Sequence, residues 1–598
     1  MKKNLPVWIL CAWGGLWSAQ AQWVTQTLSL KAGWNAVFLH VDATHATLDQ
    51  LIGAAAPIVT PIEQVWRWNP NPATHQFIQS PQQPVDTGSQ WSVWRRSGGA
   101  PATLDRLTGN TAYLVYSTAD YSWQLKGQPA LPSYRWSTSG LNFFGFPTVP
   151  TGAPSFEDFL AEVPSLQFSE IFQYPGGEFG ANNPRRVFAL RTTPVRRGEA
   201  FWIRAGEVYN HYFGPFEVTA AGSGRVAFGD TLSSFSFRLR NQTAAELTVT
   251  MELIASEAPP TGQPAIVAVP PLLLRGPLNT VDLTYGVSDL PVNTPQTWTL
   301  APRGEPGSEA EIVLGLDRAA ITANVGDLLA GVLRLTDSRG HSQIDLAVSA
   351  QPASRAGLWV GAAAVTEVGQ YLQSYLRDSA NQLVVQEDGR YVVTEVITNL
   401  TAVPEPFPLR LIVHNPATGP ARLMQRVYHG YNAATNPIVA NLESALARNL
   451  IAESRRVSAS HLPWSDANQG WSFSGGLAQD AVIVTTVTTP FNDQRSNPFL
   501  HTYHPDHDNL DARFRNELPR GSESYTLVRE ITLAFKPPAN DFNSRVSAGL
   551  TLGGDYLETL RVQGLARGGG AVDERRFDVK GVFQLNRVSD VPTLTLVP

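Results

Sequence analysis

Leu30-Lys-Ala-Gly-Trp-Asn35-Ala-Val-Phe-Leu39 is a glycine-led apolar strand with one polar residue, Asn35, set into it. Ser139-Gly-Leu-Asn142-Phe-Phe-Gly-Phe-Pro147 repeats it 107 residues later, asparagine on asparagine. Three more blocks follow both copies in the same order. A short helical stretch comes first, Thr47-Leu-Asp-Gln-Leu51 and Ser155-Phe-Glu-Asp-Phe159, offset by 108. An aromatic strand follows, Glu63-Gln-Val-Trp-Arg-Trp68 and Ser169-Glu-Ile-Phe-Gln-Tyr174, offset by 106. A glycine-led strand closes each copy, Gly109-Asn-Thr-Ala-Tyr-Leu-Val115 and Gly198-Glu-Ala-Phe-Trp-Ile203, offset by 88 at their last residues. Short aromatic and β-branched runs punctuated by Gly and Pro are strand signals. The chain therefore reads as mainly β, opening on tandem β-rich repeats. The shorter last offset predicts a longer loop in copy one, near Gln82 to Thr103.

Beyond Gly222 the texture changes to strict alternation, as in Phe235-Ser-Phe-Arg-Leu-Arg240 and Leu247-Thr-Val-Thr-Met-Glu-Leu253. Asp337-Ser-Arg-Gly-His341 reads as a hairpin turn, with Ile344 to Ser349 returning beside Leu333 to Asp337. Period-2 strands between such turns predict a β-sandwich of immunoglobulin-like type. A third unit opens at Leu358-Trp-Val-Gly and continues through strands at Tyr391–Ile397, Leu409–His414, Tyr525–Phe535 and Val579–Val588. Asn441 to Glu453 places Leu442, Ala445, Leu446 and Leu450 on one helical face. The expected organisation is a signal peptide at 1–21, repeat one at 22–135, repeat two at 136–221, the sandwich at 222–352 and a C-terminal β-rich domain with a few short helices at 353–598.

The Gly-Trp-Asn opening, short helix, Trp/Tyr strand and late Tyr/Phe-Trp-Ile strand resemble a repeat of uncharacterised secreted multidomain bacterial surface proteins. The resemblance covers about residues 23–220, and copy two departs from it with Leu141 in place of the opening Trp. It implies an extracellular β-rich module and no reaction. The phrase Asn497-Pro-Phe-Leu-His-Thr-Tyr-His-Pro-Asp-His-Asp-Asn-Leu-Asp511 is similar to the ends of other secreted proteins of environmental bacteria and carries no activity with it.

Export is also written into the N-terminus. Lys2 and Lys3 precede an apolar stretch, Leu5 to Trp17, and then Ser-Ala19-Gln-Ala21-Gln, a small-x-small cleavage site. The stretch is short for a bilayer span, and no later run is long enough for one. The protein is thus expected to be secreted or at the cell surface, without a membrane span after cleavage behind Ala21. Cys11, the single cysteine, would leave with the signal, and its neighbour Leu10 is wrong for a lipoprotein signal. The remaining chain would have no disulfide, thiol nucleophile or Cys-ligated metal. The 598 residues carry a net charge of −6 and no basic block, which argues against nucleic acid as a partner.

Two clusters are candidates for chemistry. His501, His504 and His507 interleave with Asp506, Asp508, Asn509 and Asp511. Oxygen ligands so spaced suit Ca²⁺, and imidazoles suit Zn²⁺. The spacing matches no standard metal loop, and Asp and Asn side chains also cap their own turns. Asp506, Asp508 and Asp511 are the candidate ligands for a structural calcium. The second cluster is aromatic: 8 of the 13 Trp beyond Ala21 lie from Trp23 to Trp136. Trp66 and Trp68 share a strand face and are matched by Phe172 and Tyr174, which favours a core role. Trp91 and Trp94, beside Arg95 and Arg96 in the longer loop, are the candidate ligand-binding pair.

Catalytic signatures are sparse. No Gly-x-Ser-x-Gly, His-Glu-x-x-His, phosphate loop or Ser-x-x-Lys occurs. Glu157/Asp158 with Glu170 could pair, but acidic residues at a helix start ordinarily answer its dipole. The leading expectation is a secreted or cell-surface non-catalytic protein for adhesion, glycan binding or extracellular assembly, its partner a polysaccharide or a surface protein. The alternatives are a secreted metal-dependent hydrolase with its site at His501–Asp511, and an envelope scaffold for a protein partner.

Overall fold

The structure, a computed structural model, describes residues 22–69, 91–97, 102–133, 141–204, 214–222, 224–387, 389, 391–397, 400–424, 427–431, 437–440, 455–460, 470–493, 497, 500, 508–566 and 572–593. The protein is mainly β, and its chain forms two compact units, Met1–Pro352 and Ala353–Pro598. The signal segment at 1–21 and the helix expected at 441–453 lie outside the described residues.

In the first unit, β1 (Val24–Leu30), β2 (Gly33–Leu39), β3 (Val41–Asp42), β4 (Ile62–Trp68), β5 (Trp91–Arg95), β6 (Thr111–Ser117) and β7 (Tyr121–Pro129) form two sheets, ordered β1-β7-β3 and β2-β6-β4-β5. Then β8 (Leu141–Phe144), β9 (Ile171–Gln173), β10 (Arg185–Arg186) and β11 (Phe201–Arg204) form a third, ordered β10-β9-β11-β8. The two four-stranded sheets have one register. Asn35 lies opposite Val115, which lies opposite Val65; Asn142 lies opposite Ile203, which lies opposite Ile171. Those offsets are the 107, 88 and 106 of the sequence. The short helices match too. In α1 (Leu48–Leu51) Thr47 caps the Gln50 N–H, and in α2 (Phe156–Phe159) Ser155 caps that of Asp158. A further one-turn helix, α3 (Pro164–Gln167), is found in copy two.

The Gly-Trp-Asn opening has a packing reason. Gly33 has φ +93, and a Cβ there would overlap the Gly177 backbone. That approach lets Trp34 N donate to Gly177 O and Gly177 N to Ala32 O, both 2.8 Å, which ties copy one to copy two. Trp34 then stacks on Phe179 at 4.6 Å. Asn35 closes the entry turn: its Nδ2 donates to Lys31 O and Gly33 O, and its Oδ1 accepts from Lys31 N.

Next come β12 (Phe216–Ala220), β13 (Val226–Ala227), β14 (Ser234–Asn241), β15 (Leu247–Ala255), β16 (Ile266–Ala268), β17 (Leu272–Asn279), β18 (Thr284–Leu290), β19 (Gln296–Leu300), β20 (Glu309–Leu316), β21 (Leu328–Asp337) and β22 (Gln343–Ala350). They form sheets ordered β12-β14-β20-β17-β18 and β13-β22-β21-β15-β19, with β16 beside β21. Alternate residues of both, such as Phe237, Val249, Met251, Leu314 and Leu333, share one core, so the two sheets make a sandwich. Asp337 makes the expected turn, accepting from the N–H groups of Arg339 and Ser342. Polar bonds fix the sandwich to the repeats. Arg197 donates to Thr148 O and Gln343 O at 2.9 and 2.8 Å, and Arg339 pairs with Glu162 at 2.9 Å.

The second unit contains β23 (Gly357–Tyr375), β24 (Val393–Ile397), β25 (Thr401–Asn415), β26 (Arg422–Leu423), β27 (Val427–Tyr431), β28 (Pro437–Ala440), β29 (Arg455–Ser460), β30 (Trp471–Ser472), β31 (Val482–Thr489), β32 (Thr526–Lys536), β33 (Thr551–Ala566) and β34 (Val572–Ser589). One small sheet is ordered β28-β27-β29. The large sheet, β30-β26-β25-β23-β34-β33-β32-β31 with β24 beside β23, curls until its ends meet. There Ser474 N donates to Val484 O and Thr485 Oγ1 to Ser472 O, both 2.8 Å. The inner row carries Trp359, Leu411, Ile531, Leu533, Tyr556, Phe577 and Phe583, so this near-barrel is filled by side chains. It also carries an ion pair. Arg529 donates to both oxygens of Glu558, and Tyr556 Oη donates to Glu558 at 2.6 Å, all three buried.

Candidate functional site

The structure corrects the reading of Trp91 and Trp94. They stand in β5, the end strand of the β2-β6-β4-β5 sheet, at 4% and 3% exposure. Trp91 packs edge-on against Trp66, and Trp94 donates from Nε1 to Asp49 at 2.9 Å. Neither offers a face to a ligand. The stretch also has a counterpart in copy two. Val93 lies opposite Trp66 as Arg186 lies opposite Phe172, so β5 corresponds to β10. By the same register Trp94 corresponds to Val187, which is also buried.

The candidate metal loop divides differently. Asp506, with His501, His504 and His507, lies outside the described residues. Asp508 accepts from Leu510 N at 2.9 Å. Asp511 Oδ1 accepts from the N–H groups of Arg513 and Arg515, and its Oδ2 from Asn516 Nδ2 at 2.6 Å. These donors, the Arg515 N–H foremost, hold the Asp511 carboxyl below its ordinary range. Two of the three carboxylates are therefore engaged with the loop's own donors. Among the described residues no group of three His, Cys, Asp or Glu is placed to hold a metal ion.

The outward aromatic surface lies instead in copy two. Antiparallel pairing of β9 with β10 continues through the bond from Val187 N to Ile171 O at 2.8 Å. Val187 and Ile171 therefore face inward, while Phe172, Arg186, Glu170 and Phe188 share the opposite face. Phe188 is 80% exposed, and Phe168, two residues before Glu170, is 86% exposed. The Arg186 guanidinium sits 5.3 Å from the Phe188 ring centre. Glu170 joins Arg186 at 3.3 Å and Arg204 at 2.6 Å, and the Arg204 N–H donates to Glu170 O. Arg185 is exposed and has no ion pair among the described residues, and the same alternation places it on the other face, with Val187. Inward along the same face Phe172 lies opposite Trp202, which meets Trp68 at 5.1 Å. The Trp68 Nε1 is buried and has no hydrogen-bond partner among the described residues.

Copy one shows how this face looks when closed. The register sets Arg95 where copy two has Phe188, and Gln64 where it has Glu170. There Arg95 lies 5.5 Å from the Trp66 ring, and Trp66, 7% exposed, donates to Gln64 at 3.0 Å. Copy two presents apolar rings and charge where copy one satisfies itself internally. Sequence reasoning missed this because it followed Trp. The available signal was Arg185-Arg-Val-Phe188, whose alternation places Arg186 and Phe188 on one side.

A scan against protein-family models gives no match, and a search of curated proteins gives none. A solved structure from Bacteroides ovatus, described as a structural genomics protein of unknown function, aligns over 62% of this chain and 94% of its own, at 9% identity and a TM-score of 0.15. A likeness at that level carries no argument about fold or function. No helix among the described residues is long and apolar enough to cross a membrane.

Proposed function

We propose that the protein is exported and acts at the cell surface or outside it as a non-catalytic binding or structural protein, in adhesion, glycan recognition or extracellular assembly. The observation that carries this reading is the exposed aromatic and arginine edge of the second repeat, held on a β scaffold whose modules are bonded to one another. Solvent-exposed rings beside fixed charges suit recognition, since a ring face and a guanidinium together offer stacking and paired donors. An immunoglobulin-like character for the sandwich supports the same reading: the order β12-β14-β20-β17 against β22-β21-β15 matches the ABED and GFC pairing of that fold. The test is fractionation of cells expressing the full chain, followed by binding of the purified protein to envelope polysaccharides and envelope proteins. Surface or medium localisation with saturable binding is the expected result. Retention in the cytoplasm, or metal-dependent turnover of glycosidase, esterase or protease substrates, would overturn it.

A further inference from the structure

Phe168 and Phe188 are the two most exposed aromatic side chains among the described residues; Phe168 precedes β9, and Phe188 follows β10, the strand paired with it. Isolated phenyl rings at such exposure gain nothing from the fold, because they remain in water. Their surroundings are polar and basic. Arg186 and Arg204 stand against the single carboxylate of Glu170, leaving the patch at about +1 on a chain whose net charge is −6. Glu170 orients the two guanidinium groups and leaves their remaining N–H donors free to turn outward. The aromatic surface is divided rather than continuous: Arg186 separates Phe188 from the half-buried Phe172.

We propose that this face of the second repeat binds an acidic polysaccharide, the ring faces of its sugars resting on Phe188 and Phe168 and its carboxylates taken by the outward N–H donors of Arg186 and Arg204. The proposal deepens the binding function argued above and rests on it. The occupant follows from charge and shape together. A protein interface would place its anchors in a continuous apolar centre. Here single rings alternate with guanidinium groups, and residues two apart on a strand are spaced by roughly 6.6 Å, the scale of a sugar unit. Arginine also matches carboxylate geometry with paired donors. A neutral glycan would bring no charge to the outward donors of Arg186 and Arg204, and a basic partner would be repelled.

The experiment is calorimetric titration of the full chain with oligogalacturonate, its carboxyl-reduced counterpart and dextran, each at low and raised salt. The variants are Phe188→Ala, Phe168→Ala and the double change Arg186→Gln/Arg204→Gln. Phe188 and Phe168 are exposed, so their truncation leaves the melting curve in place. Oligogalacturonate is expected to bind, with affinity falling as salt rises, and the reduced polymer to bind weakly or not at all. Phe188→Ala should lower the affinity by roughly tenfold, about 1.4 kcal/mol. The arginine double variant should lower it further and flatten the salt dependence. Oligogalacturonate binding unchanged in both Phe188→Ala and the arginine variant overturns the proposal, as does equal binding of the reduced polymer. A surface-located protein that binds a neutral glycan or an envelope protein through another face fails this proposal alone. A cytoplasmic protein fails the functional reading beneath it.

Discussion

Acid should loosen the first unit through one imidazole. His40 is buried between β2 and β3, and its backbone N–H donates to the Gln26 side chain at 2.8 Å. Its Nε2 has no partner among the described residues, and its ring meets Phe38 at 5.0 Å. Burial holds its pKa well below the ordinary value, and the positive charge of Arg197 adds to that, against a bond to the Phe146 backbone that raises it. A histidine depressed in this way stays neutral in the native state while the unfolded chain takes up a proton near pH 6.5. Stability is therefore complete above that value and is lost as pH falls below it, until the native pKa is reached. With His40 neutral throughout, going from about pH 7.5 to about pH 5.5 costs the first unit about 1.4 kcal/mol. Arg197 fastens the repeats to the sandwich, so protonation beside it adds repulsion at that junction. His45, also lowered by burial, contributes in the same direction, and the comparison must remove it. Urea unfolding of wild type and His40→Asn at both pH values does so, because His45 is common to both. The wild type should lose about 1.4 kcal/mol more than the variant over that interval. Equal losses would refute the reasoning.

Two further outcomes follow from single groups. Asn35→Ala removes three short bonds at the entry to β2 and strands the Lys31 N–H, so it should destabilise the first unit by about 1–3 kcal/mol in urea unfolding; a change within error would show that water replaces the side chain at no cost. Arg529→Met leaves Glu558 charged inside the near-barrel and should cost about 3–5 kcal/mol, while Arg529→Met with Glu558→Leu should recover most of it; a double variant as unstable as the single would show that the pair itself supplies the stability.

What was legible in the sequence is what depends on neighbours in the chain. The alternation of Leu247 to Leu253 is the inward and outward alternation of β15, and Asp337 caps its hairpin because its acceptors lie within a few residues of the donors. The repeat was legible because duplication preserves spacing, and spacing preserves register. Trp91 and Trp94 failed for the opposite reason. Their surroundings come from β4, across the connection that follows Trp68, and from the sheet of copy two. No local pattern distinguishes a Trp beside two arginines on a surface from one whose strand is enclosed by a second sheet.

Arg529 and Arg186 show why residue type alone does not settle that question. Each is an arginine on a short-period strand with an acidic partner across from it. Arg529 falls in the row of Leu527, Ile531, Leu533 and Phe535, and the near-barrel closes over that row. Its charge is then met inside by Glu558, and burial with two partners fixes one rotamer of each. Arg186 falls in the row of Phe188, on a two-residue edge strand with no further strand beyond it among the described residues. Its charge stays in water, where a surface pair with Glu170 adds at most about 1 kcal/mol. The same pair of residue types is thus buried where the sheet closes and solvated where the sheet ends. The decisive variable is topology: closure of the second unit assigns its arginine to the core, and the open edge of the second repeat leaves Arg186 and Phe188 in solvent.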